Sequence, residues 1–196
     1  SAGKQRKIHL KLENLQTTGS FKLRGAANKV FTLTDEEKKR GLVTVSSGNH
    51  GRALSYVSRQ LGIRVVVCLS EGCPQVKKDA IARLGGEIIM AGATQDEAID
   101  FAYELSKKQG FVMVSSFDDL QVIAGQGTIG LELLEDLPSV DTIITPLSGG
   151  SLLSGIALAV KTTNPKVKIV GVSMDRAPVM IRSLEAGKVI YLPEET

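Results

Sequence analysis

The sequence predicts an α/β protein built on doubly wound parallel sheets. Two observations carry this. Apolar runs such as Val65-Val66-Val67 and Ile169-Val170-Gly171-Val172 are continuous, as in strands buried on both faces. These runs alternate with segments of helical periodicity, separated by glycine-bearing turns.

The elements follow in order. Ile8 to Glu13 alternates apolar and polar side chains and predicts a strand. Phe21, Leu23, Ala26, Ala27, Val30 and Phe31 recur at helical spacing, with Ser20 placed to cap the helix they predict. Thr34-Asp35-Glu36-Glu37 has the form of a capping box and opens a short polar helix ending near Gly41. Strands over 43–45, 64–69, 87–90 and 111–114 then interleave with helices over 49–61, 75–84 and 94–109. A helix over 122–136, a strand over 142–146, a helix over 150–163, a strand over 168–173 and a helix over 178–186 complete the pattern. Gly62, Gly85-Gly86, Gly110 and Gly187 supply the stops. Ligands in such folds bind beyond the carboxyl ends of the strands, at helix N-termini.

Composition narrows the classes. The 196 residues are 42% hydrophobic and 23% charged, an ordinary globular balance. A net charge of +3 is spread over scattered Lys and Arg, densest from Lys4 to Lys11. No basic stripe with interleaved aromatics points to nucleic acid. Cys68 and Cys73 are too few for a disulfide framework and lack zinc spacing. Cys68 closes an apolar run and reads as a buried thiol. No stretch has membrane length and no signal peptide precedes the first strand, so the cytoplasm is the expected compartment.

Three turns carry candidate chemistry. In Thr17-Thr18-Gly19-Ser20-Phe21-Lys22, a lysine follows an aromatic residue at a helix start. The positive end of the helix dipole lowers an amine's pKa there and favours the neutral nucleophile. A lone lysine in such a place is more often a surface residue. Val45-Ser46-Ser47-Gly48-Asn49-His50-Gly51 joins a strand to a helix and gathers two hydroxyls, an amide and free N–H groups. These suit a carboxylate or phenolic oxygen, and equally a turn capped by Ser47 or Asn49. His50 is one of two histidines, and a lone histidine is more often structural. Ser148-Gly149-Gly150-Ser151 is a second strand-to-helix turn whose small residues expose N–H groups suited to a phosphate, or to tight helix–strand packing. It is neither a Walker loop nor a dinucleotide fingerprint. Jointly the three turns match a phosphorylated aromatic aldehyde.

These segments resemble the fold-type II pyridoxal-phosphate enzymes, in the threonine/serine dehydratase and serine racemase branch. The matching stretches are LKLENLQTTGSFKLRGA (10–26), VSSGNHGRA (45–53), VIAGQGTIG (122–130) and ITPLSGGSLLSGIA (144–157). GVSMDRAPVMIRSLEAGK (171–188) looks most like the group serving ectoine and hydroxyectoine utilisation. The resemblance implies two three-layer doubly wound domains of the tryptophan-synthase-beta-like type, the small one inserted into the large. Residues 1–40 and 119–196 would belong to the large domain and 41–118 to the small.

The resemblance also implies a pyridoxal 5'-phosphate-dependent dehydratase or ammonia-lyase. Its substrate would be a small β-hydroxy amino acid, converted by α,β-elimination to a 2-oxo acid and ammonia. A serine or other amino-acid racemase of the same fold, and a non-catalytic phosphate-ligand domain, are the alternatives. Lys22 would carry the cofactor and remove the α-proton. Asn49 would meet its phenolic oxygen and Phe21 would pack against its ring. Ser148, Gly149, Gly150, Ser151 and Leu152 would hold its phosphate. Ser46, Ser47 and His50 would line the substrate carboxylate site, with Ser47 the acid/base of racemase members. A homodimer is implied.

Three departures accompany the resemblance. The phosphate cup is usually four glycines, and here its first and fourth positions are Ser148 and Ser151. The acidic pair that binds a divalent cation in many members is replaced by Ser173 and Val179, with Asp175 nearby, so no metal is expected. Members are longer at both ends, and the partner of the pyridine nitrogen is expected beyond Thr196. The 196 residues alone are therefore not expected to be a competent dehydratase.

Overall fold

A computed structural model describes residues 7–176 and 178–191. Lys4 and Arg6 of the basic patch, and the segment from 192 to 196, lie outside the described residues. The architecture is α/β with parallel sheets. Strands β1 (Leu42–Val45), β2 (Val65–Leu69), β3 (Glu87–Met90) and β4 (Val112–Met113) form one sheet in the order β3-β2-β1-β4, every pair parallel. Strands β5 (Thr142–Pro146) and β6 (Lys168–Val172) form a second parallel pair.

The first sheet is covered on both faces, as its apolar runs require. Strand side chains alternate between faces. Leu42, Val65, Val67 and Leu69 point into a core with α1 (Lys22–Phe31), α3 (Asn49–Gln60) and α4 (Gln75–Arg83). That core also takes in Val122 of α6 (Leu120–Asp136). Val43, Val66 and Cys68 face the opposite way, against Ala102 and Leu105 of α5 (Gln95–Gln109). A third core, of Ile129, Ile143, Ile156, Val160 and Val167, joins α6 and α7 (Ser151–Thr163) to the β5–β6 pair. Helices α2 (Asp35–Arg40) and α8 (Val179–Ala186) complete the set. The capping box at Thr34 and Glu37 is formed as the sequence predicts.

Several boundaries differ from expectation. Residues 7–12 are irregular and lead into a 3-10 turn at Glu13–Leu15, not a strand. Alternation marks a strand only where a neighbour accepts its hydrogen bonds, and no described strand pairs with this segment. Ion pairs anchor it instead. Lys11 binds Glu132 and Asp136 at 2.8 and 2.9 Å, and Glu13 binds Arg24 at 2.8 Å. Helix α6 begins two residues early because Asp119 caps it, accepting from the Gln121 and Val122 N–H groups. Helix α1 has Phe21 as its N-cap, and Ser20 makes no capping bond.

Candidate active site

The strand order locates the site. From β1 the chain moves through β2 and β3 to one side, and α5 then carries it back to β4 on the other side of β1. The connections leaving β1 and β4 therefore diverge at their carboxyl ends, where open α/β sheets form a ligand crevice. The first connection is Ser46-Ser47-Gly48 and the second runs from Val114 to Phe117.

Lys22 reaches into this crevice from the first turn of α1. Its Nζ donates to the Ser116 carbonyl at 2.6 Å and lies 3.5 Å from Ser151 Oγ. Ser151 Oγ in turn donates to the same carbonyl at 3.2 Å. Burial, with no carboxylate pairing with the amine, pushes the Lys22 pKa down to about 8. The amine also lies 5.2 Å from the centre of the Phe21 ring. That ring packs on the third core, as does Leu152. Leu152 therefore presents only its backbone to a ligand.

His50, in the first turn of α3, is 2% exposed, and neither ring nitrogen has a hydrogen-bond partner. Burial first, and the charge of Lys22 second, push its pKa down to about 4. The Val114 carbonyl pulls the other way, although the hydrogen bond it accepts comes from Thr44 Oγ1 at 2.7 Å. His50 is thus a neutral ring electrostatically coupled to Lys22.

The turn after β1 is less closed than its composition suggests. Gly48 is the N-cap of α3, with no side-chain capping bond, because Asn49 is already helical. Asn49 is exposed, and its Oδ1 accepts from Arg52. Ser46 Oγ accepts from the Gly48 N–H at 3.3 Å, and Ser47 is partly buried between them.

At the other wall, Gly150 takes φ +92 as the N-cap of α7 and leaves the first N–H groups of that helix without a side-chain cap. Only glycine is unstrained there. Among the described residues no non-glycine has positive φ, so Ser148 and Ser151 fit the turn without strain. Ser148 and Gly149 are exposed and Ser151 is 3% exposed. A Cβ on Gly149 would lie 2.8 Å from Phe117 Cβ, which places Phe117 beside the turn.

The structure thus brings together Lys22, Phe21, Ser151 and His50, and leaves Asn49 turned toward Arg52. Ser116 was missed by the sequence reading. Its signal was present, since Val114-Ser115-Ser116 repeats Val45-Ser46-Ser47 at the end of a neighbouring strand. Gln126, fully buried on α6 with both amide atoms unpaired, was missed as well. Two surface hollows, of about 520 Å³ along α4 at Gln75 and Arg83 and about 330 Å³ between α6 and α7 at Leu131 and Leu158, hold none of these groups. Chemistry and topology, rather than hollow size, mark the site.

The residues fit a phosphorylated aldehyde. An amine of lowered pKa, uncapped helix N–H groups beside a glycine of positive φ, and buried polar atoms without partners at Thr18, Ser20 and His50 share one region.

Comparison with known proteins agrees. The chain is 45% identical over 181 residues to an L-threonine ammonia-lyase of Thermotoga maritima, covering 92% of this chain and 45% of that protein. It superposes on maize serine racemase with a TM-score of 0.89 at 38% identity, covering 94% of this chain and 56% of that one. Threonine deaminase isoform 2 of Solanum lycopersicum gives a TM-score of 0.88 at 39% identity, covering 91% and 49%. The chain spans about half the length of the curated relatives it matches. The lysine, the two strand-end turns and the α7 N-terminus thus sit within a match to the family model over residues 1–196, and the chain belongs to the pyridoxal-phosphate dependent enzymes.

Proposed function

We propose that the chain carries the lysine-bearing half of a pyridoxal-phosphate-dependent ammonia-lyase acting on a threonine- or serine-like amino acid. The observation that carries this is the Lys22 amine, titrating near pH 8, held at 2.6 Å from the Ser116 carbonyl beside the α7 N-terminus. The cofactor, when bound, supplies the electron sink for breaking the Cα–H bond. Lys22 is the residue that takes it up and the base for the α-proton. A pKa near the working pH suits both tasks. The N–H groups from Ser148 to Leu152 would hold the phosphate. Asn49 would meet the phenolic oxygen, its amide exchanging Arg52 for that contact. Ser46, Ser47 and neutral His50 receive the substrate carboxylate and exclude water from it. Release of the β-hydroxyl as water, followed by hydrolysis, yields a 2-oxo acid and ammonia.

Racemisation is the second reading, favoured by Ser47 in the turn after β1 and by the likeness to maize serine racemase. Residues 41–118, which contain the whole four-stranded sheet, would be the inserted small domain, and 1–40 with 119–196 the large one. Homodimeric assembly and a cytoplasmic location belong to the same proposal. Free Cys68 and Cys73, both buried, suit a reducing compartment, and among the described residues no helix is long and apolar enough to cross a membrane.

The test is an absorbance spectrum after adding pyridoxal 5'-phosphate. A band near ~410 nm, removed by borohydride and missing in Lys22→Ala, is expected from a lysine–cofactor bond. The same band in Lys22→Ala would overturn the lysine assignment. Assay of 2-oxo acid from L-threonine and L-serine, with chiral analysis of recovered serine, separates lyase from racemase.

A further inference from the structure

We propose that Ser151 is a positioning residue for Lys22, holding the amine against the Ser116 carbonyl. The proposal rests on the reading of Lys22 as the cofactor lysine. The geometry is a closed triangle. Lys22 Nζ donates to Ser116 O at 2.6 Å, Ser151 Oγ donates to Ser116 O at 3.2 Å, and Nζ lies 3.5 Å from Oγ. Because the Ser151 hydrogen is directed at the carbonyl, the oxygen's lone pairs are left for the ammonium. Alanine or glycine at 151 would supply neither bond.

The placement of Ser151 is itself fixed. It is the first residue of α7, 3% exposed, preceded by Gly150 at φ +92. The helix is pinned against α6 at Gly155, where an added Cβ would lie 2.7 Å from the Gly127 N. The Ser151 backbone therefore cannot shift away from the amine without moving a packed helix. Around Lys22, α3 contributes His50, which stays neutral, and α6 begins with Asp119, which is paired with Lys29 at 2.8 Å. Among the described residues no carboxylate is bonded to the amine, and the two oxygens are the acceptors that support its charged form.

The test is the pH dependence of Lys22 acetylation by acetic anhydride in the full chain without added cofactor, read by peptide mass spectrometry. Removing one acceptor disfavours the ammonium, so Ser151→Ala and Ser151→Gly should lower the Lys22 midpoint by about half a pH unit or more. Ser151→Thr, which keeps the hydroxyl, should restore it. A merely structural role for Ser151 would leave the midpoint in place. Far-ultraviolet circular dichroism confirms that each variant is folded. An unmoved midpoint in folded Ser151→Ala and Ser151→Gly proteins overturns the proposal. Uptake of pyridoxal 5'-phosphate is followed separately by ultrafiltration. If the wild-type chain takes up none, the proposed function falls, and the titration still decides whether Ser151 positions Lys22.

Discussion

Lys22 and Ser116, 94 residues apart, meet at 2.6 Å through a side-chain amine and a main-chain carbonyl. The contact ties the first turn of α1 to the segment leaving β4. It also explains how a half-buried lysine is kept in place without a carboxylate. Two neutral acceptors, the Ser116 carbonyl and the Ser151 hydroxyl, satisfy the amine's hydrogen-bonding need but offset burial only in part, so the pKa falls to about 8.

That value predicts a pH profile. Capture of an aldehyde or acylating reagent at Lys22 should rise about tenfold per pH unit below about 8 and level off above it. A free lysine side chain in a model peptide keeps rising past that point, toward about 10.4. Peptide-resolved labelling across pH 6 to 10 checks this, and a Lys22 curve parallel to that of the model peptide refutes it.

The lysine is aimed by a junction of small residues. A Cβ on Gly25 would lie 2.7 Å from the Val122 carbonyl, one on Gly125 2.6 Å from Gly25 Cα, and one on Gly155 2.7 Å from Gly127 N. These are backbone neighbours that cannot swing aside. Gly155→Ala should therefore destabilise the fold by about 1–3 kcal/mol. By pushing α7 away from α6 it should also separate Ser151 from Lys22. A melting curve reads the first effect, and the affinity for pyridoxal 5'-phosphate reads the second. A stable Gly155→Ala protein with unchanged affinity would show that α7 tolerates the shift.

Most of the elements were legible in the sequence because their signals are local. The capping boxes at Thr34 and Thr94 and the αL stop at Gly110 need only residues a few positions apart. The helix starts at Lys22 and Ser151 were legible for the same reason. What escaped depended on tertiary partners. Ile8 to Glu13 has a strand's alternation but no described strand beside it. The contact between Arg52 and the Asn49 amide depends on α3 starting at Asn49, one residue after its Gly48 N-cap. Ser116 matters only because β4 returns beside β1, and strand order is not written in any local pattern.

The anchor of the N-terminal segment predicts acid sensitivity. Arg24 and Lys11 hold the Glu132 carboxyl down to about 2. A carboxylate whose folded value lies below its unfolded one adds stability that is present above pH 4.5 and lost as pH falls toward 2. Glu132 is about two-fifths exposed, so solvent screening limits the effect to about 1 kcal/mol. Glu132→Gln should flatten the decline of the melting temperature over that window. An equally steep decline in the variant would assign it to other carboxylates.

His50 makes a second, separable window. Its folded value of about 4 lies below the ordinary value of 6.5, because burial disfavours the charged ring and the charge of Lys22 adds to that. The unfolded chain therefore binds a proton between pH 6.5 and 4 that the folded chain refuses, and stability falls with pH over that range. The loss is on the order of 3 kcal/mol at the lower end. His50→Gln should remove this decline while leaving the one below pH 4.5 intact. The charge on Lys22 contributes to the depression, so Lys22→Met should raise the His50 value. The sequence holds only two histidines, so the ring protons of His50 can be followed by nuclear magnetic resonance. If the His50 value stays fixed when Lys22 loses its charge, burial alone sets it, and the amine and the ring act as independent groups in the crevice.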